Sequence, residues 1–351
     1  MIDETLRHLH ALVGFDTQNP PRTPDLGIFE YIRAQLPDFS FSVADHGHGS
    51  LSLLGRRGTP RILFNVHLDT VPAAAGYTAN PHELRVTDTR AIGLGACDIK
   101  GSAAALITAA RHTGGDAAFL FTTDEEAGQS TCVRRFCEGP KVYDLVIVGE
   151  PTQGRAVLEH RGILTARADF AGTSGHASSG RADVDSAVHH AVDWSHAVLQ
   201  EFRSAHALTY KNLSGLRYNI GRIEGGVKPN MIASDAFVLL GFRPLPGMDA
   251  HAYLAKLASA HPAPASCTPG FYGPPLPAPG HPTADGHAST LGLPIGDPVD
   301  FWTEASLFSE AGYHALVFGP GDIAQAHTAD EWVSLDDLAF VTKQYTRILS
   351  R

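Results

Sequence analysis

Side chains that can bind metal ions follow directly after several hydrophobic runs of the chain. Three of these runs end at residues 66, 123 and 149. Ligands bind at the carboxyl ends of the strands in open α/β sheets, so residues just past such runs are expected at one rim of a sheet. The residues after these runs that can bind a metal are His67, Glu126 and Glu150. Asp98, in a glycine-rich segment, and His327, near the C-terminus, complete the set of candidate metal ligands.

The candidate ligands are imidazoles and carboxylates, without a thiolate. This donor set favours zinc, cobalt or manganese at a catalytic site over a cysteine-rich structural zinc site. Two histidines and three carboxylates exceed what one catalytic zinc needs, and they suit two ions about 3.5–4 Å apart with one bridging carboxylate. We therefore predict two divalent ions per chain.

Two further acids stand beside the candidate ligands. Asp69 lies two residues after His67, and on a strand end this spacing points both side chains along one face. Asp69 is thus expected to accept the second ring N–H of His67, as the partners of metal-bound histidines usually do. Glu125 precedes the ligand Glu126 and is free to act as a general base on an attacking water.

Each of these motifs has an ordinary structural explanation when it is taken alone. An isolated His–X–Asp is most often a turn or a surface pair. The pair at 125–126 could start a helix, where acids are favoured, and Asp98 could be a helix N-cap between turn glycines. The joint arrangement supports the metal centre, because five separate strand exits carrying ligand-type residues would be an improbable accident.

Two kinds of secondary-structure pattern divide the chain. Residues 1 to about 157 alternate helices and short apolar strands, as in a parallel sheet covered on both faces. The predicted helices there are 3–14, 26–36, 101–113 and 129–138, and the strands are 61–66, 117–123 and 144–149. The same pattern resumes near the C-terminus with a helix at 303–312, a strand at 315–318 and a helix at 335–349.

The intervening segment has a different pattern and ends in a proline-rich stretch. It shows strands at 163–171, 216–224 and 235–243 and helices at 183–204 and 249–260. This order indicates an α+β, ferredoxin-like module with an antiparallel sheet, and the prolines at 262–282 indicate a return linker. We expect a discontinuous, doubly wound α/β catalytic domain with a mixed sheet (1–158 and 264–351) and an inserted domain (159–263).

Composition excludes several classes of partner. The net charge is −10 with histidines neutral, which favours neither nucleic acid nor an anionic membrane. No apolar run approaches the roughly 20 residues of a membrane span, and the N-terminus carries early acids unlike a signal peptide. The four cysteines show no paired framework, so we expect a protein of the reducing cytoplasm.

Three polar residues of the inserted segment are candidates for contact with a ligand. His176 lies among small residues at a strand end, where it can approach a ligand closely. Asn230 could bond substrate oxygens through its amide, and Arg243 ends an apolar strand, where a guanidinium can grip a carboxylate through two hydrogen bonds. Taken alone, His176 and Arg243 are more often a satisfied histidine and a surface ion pair, and Asn230 equally often a turn residue.

Most of the chain resembles the dinuclear metallohydrolases that include acetylornithine deacetylase, succinyl-diaminopimelate desuccinylase and carboxypeptidase G2. The motifs that carry the resemblance are HLD at 67–69, GLGACDIKG at 93–101, TTDEE at 122–126, GEPT at 149–152 and GPGDIAQAHTADEW at 319–332. Within this family the likeness is greatest to the N-acetyl-L-citrulline deacetylases of bacterial arginine biosynthesis. It rests on residues 27–37, 64–72, 218–233, 241–249 and 299–313.

The resemblance implies a role for each candidate residue. His67 and Glu150 would hold one ion, Glu126 and His327 the other, and Asp98 would bridge them. Glu125 would be the general base and Asp69 the residue that orients His67. The inserted domain would be a lid and a homodimerisation surface, with His176 reaching the partner subunit's site to stabilise an oxyanion. Arg243 would bind the α-carboxylate of an N-acetyl amino acid, and Asn230 its oxygens.

The resemblance favours hydrolysis of N-acetyl-L-citrulline to citrulline and acetate, with related amides as alternatives. A shared metal centre does not distinguish N-acetyl-L-citrulline from N-acetyl-L-ornithine, N-succinyl-diaminopimelate or dipeptides. Ornithine would require an anionic partner for its ammonium, and citrulline would require donors and acceptors for its ureido group. A non-catalytic metal-binding protein with the same fold is a remote alternative, because fold alone does not prove function.

Overall fold

The computed structural model describes residues 1–21 and 24–351. They form two compact units. The first contains residues 1–159, 280–297 and 303–351, and the second contains residues 160–279 and 298–302. Each unit has its own hydrophobic core.

The helices and strands are as follows. The helices are α1 (Ile2–Val13), α2 (Gly27–Gln35), α3 (Gly101–Arg111), α4 (Thr131–Cys137), α5 (Ala182–Asp185), α6 (Ala187–Ser204), α7 (Ala250–Ala258), α8 (Asp285–Leu291), α9 (Ala305–Glu310) and α10 (Leu335–Leu349). The strands are β1 (Ser40–Asp45), β2 (Leu51–Arg57), β3 (Ile62–His67), β4 (Arg85–Val86), β5 (Arg90–Ile92), β6 (Ala117–Thr122), β7 (Leu145–Val148), β8 (Ile163–Ala171), β9 (Gly175–His176), β10 (Thr209–Tyr210), β11 (Leu213–Ser214), β12 (Arg217–Gly225), β13 (Met231–Ile232), β14 (Asp235–Arg243), β15 (Ser266–Gly273), β16 (His314–Val317) and β17 (Trp332–Ser334).

The first unit is built on a six-stranded mixed sheet in the order β1-β2-β6-β3-β7-β16. Strands β6, β3, β7 and β16 are parallel, and β2 and β1 extend the sheet by antiparallel pairing. Every residue of β6 and β7 is buried, as in a sheet covered on both faces. Helices α1, α3 and α10 pack together, while α9 packs on α4, β7 and β16. The predicted doubly wound α/β fold with a mixed sheet is confirmed.

The second unit is a β-α-β-β-α-β module with a four-stranded sheet in the order β12-β14-β8-β15. All its neighbouring strands are antiparallel. Alternate residues of β8 and β14 are buried, because one face of the sheet packs on α6 and α7. The strand order and connections are those of the predicted ferredoxin-like module.

The proline-rich stretch predicted as a linker contributes a strand to this module. Strand β15 pairs with β8 at the edge of the sheet, and it includes Pro269 opposite Ala166. Proline lacks an N–H group, and an edge strand tolerates this because one of its sides has no neighbouring strand. The second compact unit therefore extends to residue 279 and includes residues 298–302, whereas the expected domain boundary is at 263.

The helix expected at 183–204 is interrupted at Ser186, whose extended backbone and side chain cap α6 by accepting the His189 N–H. Among the described residues, none of the helices combines the length and apolar character needed to traverse a bilayer.

Candidate metal centre

The order of the parallel strands brings the predicted ligands to one rim of the first unit's sheet. His67 is the last residue of β3, Glu125 and Glu126 follow β6, and Glu150 follows β7. Strands β6 and β7 flank β3, and all three are parallel, so these side chains emerge at the same end. His327 follows β16, which is the next parallel strand.

Asp98 reaches the rim through an irregular segment that precedes α3. Gly95 has a φ of +76°, and a Cβ there would lie 2.7 Å from the Thr70 Cγ2, so the position requires glycine. Asp98 itself has extended backbone angles, with φ −117° and ψ 91°. Helix α3 begins at Gly101 without a side-chain cap, so Asp98 is not the helix N-cap that its sequence also allowed.

Asp98 lies between the two histidines. Its Oδ1 atom is 3.1 Å from the His67 Nε2, and its Oδ2 atom is 3.3 Å from the His327 Nε2. Glu150 Oε1 is 3.5 Å from the same His67 nitrogen, and Glu126 Oε1 is 2.9 Å from the same His327 nitrogen. The Asp98 carboxylate therefore faces two imidazole–carboxylate pairs. Its Oδ1 faces the pair that contains His67, and its Oδ2 faces the pair that contains His327.

The donor atoms form compact groups that fit divalent cations. Within each group the possible ligand atoms lie within 4.8 Å of one another. The groups are His67 with Asp98 and Glu150, Asp98 with Glu126 and His327, and His67 with Glu125 and Glu126. The first two share Asp98, which is the arrangement expected of two ions joined by a bridging carboxylate. Oxygen and imidazole nitrogen donors suit zinc, cobalt or manganese.

The electrostatics of the cluster also favour bound cations. Burial and the neighbouring Asp98 carboxylate raise the pKa of Glu150 well above its usual value. Burial acts to lower the pKa of His67, but the Glu150 and Asp98 carboxylates outweigh it and raise that pKa. Hydrogen bonds to Asp98 and Glu126 raise the pKa of His327 to about 11. Negative charge is thus concentrated at the rim, and a divalent cation would relieve the repulsion.

Glu125 lies in the same electrostatic environment as the ligands. Burial, together with the carboxylates of Glu126 and Glu150, raises its pKa well above the usual value for glutamate. Its carboxylate oxygens also lie within ligand distance of His67 and Glu126. The structure thus brings the predicted base to the edge of the predicted metal ligands.

Asp69 contacts His67 through a different atom from the one expected. The His67 Nδ1 is 2.9 Å from the Asp69 backbone carbonyl oxygen, whereas the carboxylate Oδ1 is 3.6 Å away. The other carboxylate oxygen, Oδ2, accepts the Glu126 backbone N–H at 3.0 Å and the Asn19 Nδ2 at 3.3 Å. The backbone of Asp69 therefore fixes the His67 ring, and its side chain fixes the loop that carries Glu126.

Two residues that contact this cluster had no predicted role. Asn19 joins the Asp69 carboxylate to the backbone carbonyl of Thr123, 3.0 Å from its Nδ2. Glu331 is buried and accepts hydrogen bonds from three backbone N–H groups of the Asp98 segment. Glu331 lies within the motif at 319–332, yet the sequence does not show that its side chain bonds a backbone some 235 residues away.

The predicted ligand-contacting residues of the inserted domain lie in the second unit. His176 is exposed on β9. Asn230 directly precedes β13, the strand that pairs with β9. The Ala177 N–H donates to the Asn230 carbonyl at 3.1 Å, so the structure brings these two residues together. Arg243, at the end of β14, lines a cavity of about 780 Å³ with Arg217, Asn219 and Gly241 on the open face of the sheet.

Curated relatives match most or all of the chain. It is 51% identical to the N-acetyl-L-citrulline deacetylase of Xanthomonas campestris, over 100% of this chain and 98% of that protein. It is 30% identical to the acetylornithine deacetylase of Edwardsiella ictaluri, over 80% of this chain and 77% of that protein.

Solved structures of M20-family proteins share the fold, and the family is also identified from the sequence. An M20 metallo-carboxypeptidase from Sulfolobus solfataricus has a TM-score of 0.75 at 16% identity, with 99% of both chains covered. A dinuclear metal-binding M20 peptidase from Bacillus subtilis has a TM-score of 0.66 at 13% identity, with 99% and 97% covered. The sequence model of peptidase family M20/M25/M40 matches residues 63–351. This chain belongs to that family of hydrolases.

Proposed function

We propose that this enzyme hydrolyses the acetyl amide of N-acetyl-L-citrulline to citrulline and acetate, as a step of arginine biosynthesis. The observation that carries the proposal is the 51% identity, over the whole chain, to a protein named as that deacetylase. The rim of ligand-type residues in the first unit supports a metal-dependent hydrolysis.

We propose that two divalent ions, zinc or cobalt, bind at the rim. His67 and Glu150 would hold one ion, Glu126 and His327 the other, and Asp98 would bridge. The contacts of Asp98 support this division, because it directs one oxygen to each histidine. Such a pair of ions supplies Lewis acidity, which acidifies water and polarises a carbonyl.

Glu125 is the proposed proton carrier of the reaction. Its carboxylate accepts a proton from the water that attacks the acetyl carbonyl, and then donates that proton to the leaving α-amine. The amide C–N bond breaks, and acetate and the free amino acid are released. Its position beside the ligands His67 and Glu126 supports this role, because a general base must lie within hydrogen-bond reach of the attacking water.

Arg243 is the proposed binding residue for the substrate α-carboxylate. It lines the cavity on the open sheet face of the second unit, where a guanidinium can form two parallel hydrogen bonds to a carboxylate. Asn230 is proposed to bond substrate oxygens through its amide.

Replacing Arg243 by alanine should raise KM more than it lowers kcat, because the guanidinium binds the ground state and the transition state alike. Steady-state rates on N-acetyl-L-citrulline and on its carboxyl-amidated analogue test the assignment. The amidated analogue lacks the carboxylate and should lose little from the substitution. Equal losses on both substrates would argue against the role.

A second copy of this chain is the proposed partner, docked on β12. This strand is an edge of the four-stranded sheet, and Ile223 and the following Val227 are 45% and 83% exposed. Antiparallel pairing of two copies about Ile223 would set Arg222 of one copy opposite Glu224 of the other, which is a favourable cross-strand charge pair. Light scattering that gives a monomer mass would exclude this homodimer.

His176 is the proposed oxyanion-stabilising residue of the partner copy's site. Replacing it by alanine should lower kcat by about 10²–10³-fold with a smaller change in KM, as loss of an oxyanion donor does in other hydrolases. Single-substrate kinetics of the variant separate the two constants. A pure KM effect, or full activity in an enforced monomer, would contradict the role.

The substrate is tested by measuring kcat/KM on N-acetyl-L-citrulline and N-acetyl-L-ornithine side by side. A ratio above about 100 in favour of citrulline, or roughly 2.7 kcal/mol of differential transition-state binding, is expected. The acetylornithine deacetylases among the relatives make the reverse ratio the main alternative. Inactivity on both would direct the search to N-succinyl-diaminopimelate and dipeptides, and inactivity on all of them would favour a non-catalytic metal-binding protein.

The cytoplasm is the proposed compartment. All four cysteines are free thiols, and Cys97 and Cys132 are buried. Free thiols are typical of proteins kept in a reducing environment.

A further inference from the structure

The Glu331 carboxylate accepts hydrogen bonds from the backbone segment that contains Asp98. Its Oε1 accepts the Cys97 and Asp98 N–H groups at 2.9 Å each, and its Oε2 accepts the Gly95 N–H at 3.0 Å. The residue is 1% exposed. Hydrogen bonds from backbone N–H groups to a carboxylate are charge-assisted and stronger than those between neutral groups.

The three N–H groups that Glu331 accepts belong to a segment without regular hydrogen bonding. The neighbouring Ala96 and Lys100 N–H groups bond to backbone carbonyls of Gly93 and Gly95. Asp98 has non-helical backbone angles, so its N–H does not enter a helical ladder. Buried N–H groups require a partner, and here the Glu331 carboxylate is that partner.

Glu331 is itself held in place by a strand. The Gly93 N–H donates to its backbone carbonyl at 2.9 Å, and the next residue starts β17, which pairs with β5. His327 lies four residues before it. One short segment, 327–331, therefore contributes an imidazole to the rim and also fixes the backbone of the aspartate that faces this imidazole.

We propose that Glu331 is a positioning residue for the metal centre: it fixes the backbone of Asp98 so that the two carboxylate oxygens of Asp98 face His67 and His327 at the same time. This inference rests on the proposed dinuclear site. Loss of its hydrogen bonds would free the segment from Gly95 to Asp98, and the aspartate would no longer be held between both pairs of ligands.

The test compares Glu331→Gln and Glu331→Asp with a matched control, Asp330→Asn. Glutamine has one acceptor oxygen, so it cannot receive all three N–H groups. Aspartate keeps the charge but is shorter by one methylene. Asp330 is the adjacent acid, and its carboxylate bonds Arg85 and the Thr78 N–H instead. Each protein is stripped with a chelator and titrated with Mn²⁺ by calorimetry, and the loaded forms are examined by electron paramagnetic resonance.

The parent and the control are expected to bind two Mn²⁺ ions with a spin-coupled signal. Glu331→Gln should bind both ions about 10–100-fold more weakly, the usual loss when a residue that orients a metal ligand is changed. It should also lose or alter the coupling, while its circular dichroism stays that of the parent. Glu331→Asp should fall between the two, and it serves as the test if the glutamine variant fails to fold.

Three outcomes would overturn the inference. If the folded Glu331 variants bind both ions with parental affinity and coupling, Glu331 does not position Asp98. If the parent does not bind two ions, the dinuclear site fails and this inference fails with it. A merely structural role would lower the thermal midpoint of the stripped protein without changing its Mn²⁺ affinity, which would also refute positioning.

Discussion

Replacing Glu125 by glutamine is expected to lower kcat by about 10²–10⁴-fold, the usual contribution of a positioned general base. This loss corresponds to roughly 2.7–5.5 kcal/mol of transition-state stabilisation. The amide of glutamine keeps nearly the same shape but cannot accept a proton from water at neutral pH. Because Glu125 is proposed to carry a proton and not an ion, metal content should stay at the parental level.

Initial rates and metal analysis on the same preparation check this prediction. Glu138→Gln is a matched control, since that glutamate follows α4 in the same unit and is paired with the surface Arg135. The control should keep parental kcat. Near-parental turnover of Glu125→Gln would remove it from the mechanism, and a joint loss of metal and activity would make it a ligand.

Replacing Asp98 by alanine is expected to abolish tight binding of both ions. Each of its oxygens faces a different histidine, so one substitution removes a donor from both groups. The loss in affinity at each site should exceed the roughly 10–100-fold typical of residues that only orient a ligand. Activity should fall with metal content.

Metal stoichiometry after desalting separates this prediction from its alternatives. His327→Ala is the comparison, because it removes a donor from one group and leaves His67, Asp98 and Glu150 intact. That variant should retain about one ion per chain, whereas Asp98→Ala should retain neither. Two tightly held ions in Asp98→Ala would show that Asp98 is not a shared ligand.

The position of the ligands along the sheet was predictable because strand order and chain direction determine it. Short apolar runs before His67, Glu126 and Glu150 indicated parallel strands, and parallel strands end at one rim. The structure brings all five predicted ligands of the first unit together there. The strand pattern therefore placed His67, Glu126 and Glu150, whereas Asp98 reaches the rim through an irregular segment.

Features that depend on distant backbone contacts were not predictable. Strand β15 contains Pro269, and a proline-rich pattern gives no sign that an edge position tolerates it. The atom with which Asp69 contacts His67 depends on where the chain turns after β3, and spacing alone favoured the carboxylate. The contact of Glu331 with the Asp98 segment was not predicted for the same reason. Its partners are backbone N–H groups, and no pattern of side chains in the sequence indicates them.

The discontinuity of the first unit also has a consequence for the order in which the protein is made. Glu150 leaves the ribosome well before His327, and at roughly 5–20 residues per second synthesis of the intervening chain takes about 9–35 s. During that time the nascent sheet lacks β16, the strand that pairs with β7, as well as the segment 327–331. The intervening ferredoxin-like unit is almost continuous in sequence, so most of it is complete first. All five proposed metal ligands are therefore present on the chain only near the end of its synthesis.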